Sequence, residues 1–113
     1  MTRARAKARA GTVEILPDKL VVLGIPYAVA RAECDGDNIG SAIAVRNLLR
    51  LSPGMPAMRE LDVLIHELVH AVDYGVAVKL TERQVSALSS GLFAALSGNP
   101  WLLDALKRGK LRW

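Results

Sequence analysis

The apolar residues change their period near the middle of the chain. Up to residue 51 they fall in short runs broken by Pro, Gly and Asp; from residue 57 they recur every three or four positions. In the first half, Thr12 to Leu16 and Leu20 to Leu23 read as strands separated by the turn signal Pro17-Asp18. Gly24-Ile25-Pro26 interrupts, and Tyr27 to Ala32 resumes as a strand. Cys34 to Gly40 is a loop by composition. Ala42 to Val45 and Leu48 to Leu51 flank Arg46-Asn47 and predict a hairpin. The first half therefore predicts a small, mostly antiparallel sheet.

Ser52 to Pro56 marks a break, and the periodicity becomes helical. From Ala57 to Tyr74 the residues Leu61, Leu64, Ile65, Leu68 and Val72 follow a 3.6-residue period, with Gly75 placed as the C-terminal cap. A second helix starts at Thr81, where Thr81-Glu82-Arg83-Gln84 fits a capping box, and carries the stripe Val85, Leu88, Leu92 and Leu96. Gly98-Asn99-Pro100 ends it, and Trp101 to Leu106 forms a short last helix. The expected fold class is α+β: a small N-terminal antiparallel sheet followed by two or three helices. Residues 1–11 form a basic flexible tail and residues 12–113 one domain, a division that suits 113 residues with room for one modest core.

Charge adds little to this outline. The net charge of +4 is concentrated at Arg3, Arg5, Lys7 and Arg9 and again at Lys107, Arg108, Lys110 and Arg112. Between those tails the charge is nearly balanced, so nucleic-acid contact is expected only weakly, from the tails. Cys34 is the single cysteine, which excludes an intramolecular disulfide. No apolar stretch approaches the length of a membrane span, and no apolar segment follows the basic start as in a secretory signal. The expectation is a cytoplasmic protein without membrane contact.

Candidate chemistry is concentrated in His66-Glu67-Leu68-Val69-His70, an HExxH segment that contains the chain's only two histidines. On a helix the two imidazoles project from one face, one turn apart. His70 lies about 40° round from His66, and Asp73 about 20° to the other side. Glu67 sits beside that face, where a carboxylate can take a proton from a metal-activated water without ligating the ion. The competing explanation is two unrelated histidines flanking a glutamate; the helical context and the scarcity of histidine favour a metal site. A third ligand has two candidates. Glu82 shares an angular position with Val85, Ser89 and Leu92, and the short connection from Gly75 to Leu80 folds its helix back toward the histidines. Asp73 is more naturally a hydrogen-bond partner that orients an imidazole, with direct ligation as the alternative. Tyr74 is either a donor to an oxyanion or a packing residue, and Ser86, one turn after Glu82, is a hydrogen-bond partner for it.

Taken together, Val63-Leu64-Ile65 leading into the HExxH segment, Ala71-Val72-Asp73-Tyr74, Leu80 to Val85, Leu88, Gly91-Leu92 and Asn99-Pro100-Trp101 resemble small phage and prophage metallopeptidase-like proteins. These are related to the ImmA/IrrE group of gluzincins. The resemblance runs over roughly residues 20–103 and is strong from 63 to 92. It implies a minimal zincin-like core and a zinc ion held by His66, His70 and Glu82. It also implies Glu67 as general base and a peptide or protein substrate. Relatives often carry an acidic residue where this chain has Ser86. The chain also has a shorter spacer between His70 and Glu82 than the large thermolysin-like enzymes. Two functions are therefore expected in order: a zinc metallopeptidase, and a zinc-stabilised binding or regulatory module that hydrolyses nothing.

Overall fold

The computed structural model describes residues 19–111. The basic tail over 1–11 and the strand expected at Thr12 to Leu16 lie outside the described residues. The elements run β1 (Lys19–Val22), β2 (Ile25–Arg31), β3 (Gly40–Ile43), β4 (Leu48–Leu51), α1 (Ala57–Val76), α2 (Glu82–Gly98) and α3 (Pro100–Arg108). This is an α+β chain in which the described strands all precede the helices. No helix among the described residues is long and apolar enough to cross a membrane.

β1 and β2 form an antiparallel hairpin with Leu20 opposite Tyr27 and Val22 opposite Ile25. Leu23 and Gly24 make the turn, with φ of 51° and 80°. Two left-handed residues match the twist of the flanking strands. The break expected over Gly24-Ile25-Pro26 is thus shorter than its composition suggested, since Ile25 and Pro26 already belong to β2. Pro26 is tolerated there because pairing of β2 with β4 begins only at Ala28. The hairpin expected around Arg46-Asn47 is present as β3 and β4, with Ile43 opposite Leu48 and Asn47 left-handed at φ 47° after a short 3₁₀ turn over Ala44–Arg46.

The strand order is β1-β2-β4-β3, and β2 runs parallel to β4. The expected antiparallel sheet is therefore corrected to a mixed one. The chain leaves β2 at Arg31, crosses to the far edge to form β3, and returns inward as β4. Burial explains the choice: Leu49 and Leu51 of β4 are fully buried, whereas β3 is only half-buried throughout. Placing the leucine-rich strand in the middle of the sheet buries two large side chains, each contributing about 2 kcal/mol.

α1 lies across one face of this sheet. The core comprises Val22, Tyr27, Val29, Leu49 and Leu51 from the strands with Val63, Leu64 and Ala71 from the helix. The face of α1 turned to the sheet reads Glu60, Val63, Leu64, Glu67 and Ala71, all buried. Of the apolar stripe expected from periodicity, Leu64 is buried in this core and Leu61 and Leu68 pack against it, partly buried. Leu68 also lines, with Ile65, Val72, Leu88 and Leu92, an apolar groove of about 460 Å³ between α1 and α2. Two carboxylates therefore occupy the sheet-facing side. Glu60, 1% exposed, accepts a hydrogen bond from Arg31 Nε of β2 at 2.8 Å. A buried carboxylate needs such a partner, because desolvating an unpaired charge is costly. Arg31→Met is expected to lower the unfolding free energy by about 3 kcal/mol, with most of the loss recovered in Arg31→Met/Glu60→Leu. Urea denaturation of both variants checks this; equal losses would contradict it.

Candidate metal centre

α1 is helical from Ala57 to Val76, so the spacing of His66 and His70 becomes a spatial pair, with ring centroids 5.1 Å apart. Both rings are mostly covered and turn their Nε2 atoms toward the start of α2. Glu82 is the first residue of α2, and its two oxygens divide between the rings. Oε2 lies 2.8 Å from His66 Nε2, and Oε1 lies 2.8 Å from His70 Nε2. The three side chains offer ligand atoms that all lie within 4.8 Å of one another. This is the grouping expected for a divalent cation held by two imidazoles and a carboxylate. The Glu82 side chain is 67% exposed, so the cluster sits at the surface rim rather than in the core. The core-facing position expected for it from its helical angle is filled instead by Val85 and Ser89, which are buried.

The turn between the helices sets this convergence. α1 ends at Val76 and is capped by Ala77, which is in the left-handed conformation with its N–H donating to the Asp73 carbonyl. The expected cap at Gly75 is corrected: Gly75 is inside the helix. A Cβ there would lie 2.6 Å from Leu23 Cδ1, so glycine at 75 makes room for the β1–β2 turn. The Asp73 carboxylate accepts from the backbone N–H groups of Lys79 and Leu80 at 2.9 and 3.0 Å. It thereby ties down a turn in which Ala77 and Lys79 both have positive φ. Thr81 then caps α2: its hydroxyl accepts from Gln84 N–H, and the Gln84 side chain accepts from Thr81 N–H, the capping box expected from the sequence.

Glu67 is buried between α1 and β3. Burial pushes its carboxyl above the ordinary carboxylate range; His66 and His70 pull it back down, and Glu82 adds a smaller upward push. The fit against β3 depends on a missing side chain. A Cβ at Gly40 would lie 2.6 Å from Val63 Cγ1 and 2.9 Å from Glu67 Oε2. A recess of about 210 Å³ opens beside His66 and Glu67, bordered by Ile39, Asp62, Ser86 and Ser90.

The structure thus brings His66, His70 and Glu82 together, with Glu67 alongside. Asp73 serves the turn rather than an imidazole. Tyr74 is half-exposed and stacks on His70, with centroids 6.3 Å apart. Ser86 borders the recess, and no hydrogen bond joins its side chain to Glu82. The residue that sequence reasoning missed is Ser89, 2% exposed, whose hydroxyl lies 3.3 Å from His66 Nδ1. Its signal was a serine in the stripe of Val85 and Leu92. No family model matches this chain, and no curated protein or solved structure matches it.

Asp73→Ala removes both hydrogen bonds to the turn. It is expected to destabilise the protein by about 2 kcal/mol. Any metal ion held by the cluster should also bind roughly tenfold more weakly, because Glu82 loses its fixed approach to the rings. Urea unfolding and zinc titration against a competing chelator measure the two effects. A stability loss with unchanged zinc affinity would show that the turn does not position Glu82.

Proposed function

We propose that the protein is a zinc-dependent peptidase acting on peptide or protein substrates. The observation that carries this reading is the grouping of His66, His70 and Glu82, whose ligand atoms lie within 4.8 Å of one another, with the buried Glu67 alongside. Two imidazoles and one carboxylate leave a fourth coordination position open, as a catalytic zinc site requires. Held by His66, His70 and Glu82, a zinc ion would supply Lewis acidity toward a scissile carbonyl and a water. Glu67 is the general base of this scheme: it removes the proton from the attacking water and delivers it to the leaving amine. Its burial raises its proton affinity, which suits a group that must both take and return a proton. β3, at the edge of the sheet and in contact with Glu67 through Gly40, offers an extended peptide a strand to pair with. A phage or prophage origin and a cytoplasmic site of action belong to the same proposal, through the resemblance of the segment 63–92.

A second reading has one observation in its favour. The recess beside Glu67 holds only about 210 Å³, small for a peptide side chain and backbone together. In that reading zinc stabilises a binding module and nothing is hydrolysed.

Metal content and peptide cleavage by purified wild type, Glu82→Ala and Glu67→Gln separate the two. The peptidase reading expects about one zinc per chain, lost in Glu82→Ala. It expects Glu67→Gln to keep zinc while cleavage falls by roughly 100-fold or more. Zinc retained by a wild-type protein that cleaves no member of a peptide library would leave the binding module. A zinc-free wild type would overturn both.

A further inference from the structure

The side of the His66 ring turned away from Glu82 is held by a group that neither the HExxH pattern nor the Glu82 position points to. Ser89 lies on α2, two turns after Glu82, and is buried. Its hydroxyl has two neighbours among the described residues: the Ser86 carbonyl at 3.2 Å and His66 Nδ1 at 3.3 Å. No other described group hydrogen-bonds that nitrogen. His70 has no comparable support: its ring stacks on the half-exposed Tyr74, and its Nδ1 has no hydrogen-bond partner among the described residues.

The proton count on this chain of atoms has a consequence for the metal centre. A serine hydroxyl carries one proton and accepts through its lone pairs. The Ser86 carbonyl can only accept. When the hydroxyl proton goes to that carbonyl, the serine oxygen is left to accept from His66 Nδ1–H. A neutral imidazole protonated on Nδ1 carries its lone pair on Nε2. That lone pair faces Glu82 Oε2, itself a lone-pair donor, at 2.8 Å. The arrangement is repulsive unless both atoms share a cation. When the hydroxyl instead turns to donate to Nδ1, Nε2 carries the proton and donates it to Glu82. One buried hydroxyl thus pairs with Nδ1 in both tautomers, as acceptor in the first and as donor in the second.

We propose that Ser89 is the positioning residue of the metal centre. It selects the Nδ1–H tautomer of His66 on cation binding and holds the ring so that Nε2 is presented to the ion. The inference rests on the reading of His66, His70 and Glu82 as a zinc site. Ser89 touches neither the ion nor a substrate; it acts through the imidazole, as groups that orient metal-ligating histidines do. The resulting site is asymmetric, with His66 fixed from behind by α2 and His70 supported only by its neighbour one turn on.

The test uses the full chain loaded with zinc and nitrogen-15 NMR of its two histidines, beside zinc affinity measured against a competing chelator. In wild type, His66 is expected to bind zinc through Nε2 and to show a slowly exchanging Nδ1–H. In Ser89→Ala, that proton should exchange with water at least about tenfold faster, and the zinc dissociation constant should rise roughly tenfold. Ser89→Thr, whose hydroxyl can reach the same carbonyl one turn back, should restore both. Unchanged affinity and exchange in Ser89→Ala would overturn the role of the serine while leaving the zinc site standing. So would a threonine variant that behaves like alanine, since the loss would then be one of packing. Zinc bound through Nδ1 in wild type would overturn it directly. A wild type that takes up no zinc would overturn this role and the metal reading together.

Discussion

Glu82 reaches two imidazoles on another helix because the turn before it is pinned by a carboxylate. Asp73 accepts from Lys79 and Leu80, and this holds Ala77 and Lys79 in left-handed conformations that non-glycine residues adopt reluctantly. Without the tie, the chain between α1 and α2 has many ways to leave the helix, and few of them deliver the first residue of α2 to Nε2 of both histidines. The capping box at Thr81 acts in the same direction by starting α2 at Glu82 and not a residue later. The cluster is therefore a product of turn geometry as much as of ligand chemistry.

The second organising feature is the pair of carboxylates on the buried side of α1. Glu60 and Glu67 are seven residues apart and share one helical face, turned to the sheet. They are accommodated differently. Glu60 is compensated by Arg31 from β2, which links helix and sheet near the start of α1. Among the described residues, no lysine or arginine pairs with Glu67. Its burial is relieved electrostatically by the neighbouring imidazoles and sterically by the absence of a side chain at Gly40. Two buried carboxylates on one helical face are thus told apart by what the sheet places opposite them.

Much of this was legible in the residues. The switch from short runs to a 3.6-residue period separated strands from helices. The turn residues located the β3–β4 hairpin and a break near Gly24, and Thr81 with Gln84 located the start of α2. The fourfold spacing of His66 and His70 put both rings on one face, and the length of the connection brought Glu82 back toward them. These features are local: each depends on residues within a turn or two of one another.

What the residues left open depended on partners distant in the chain. The parallel pairing of β2 with β4 was decided by which strand could bury Leu49 and Leu51, and no local pattern records that competition. The sheet-facing side of α1 was only partly legible, through Leu61, Leu64 and Leu68, because hydrophobic periodicity weighs the buried Glu60 and Glu67 as if they were exposed. Gly75 reads as a cap until Leu23 is packed against it, and Ser89 reads as an interruption in an apolar stripe until His66 stands opposite. Sequence alone determined most of the elements, the cap that starts α2 and the residue types able to hold a cation, because hydrogen-bonding and steric preferences act over a few bonds. Tertiary structure alone decided which carboxylate meets the histidines, which is buried against the sheet and which anchors a turn, because desolvation and pairing are settled by what packs from the other side.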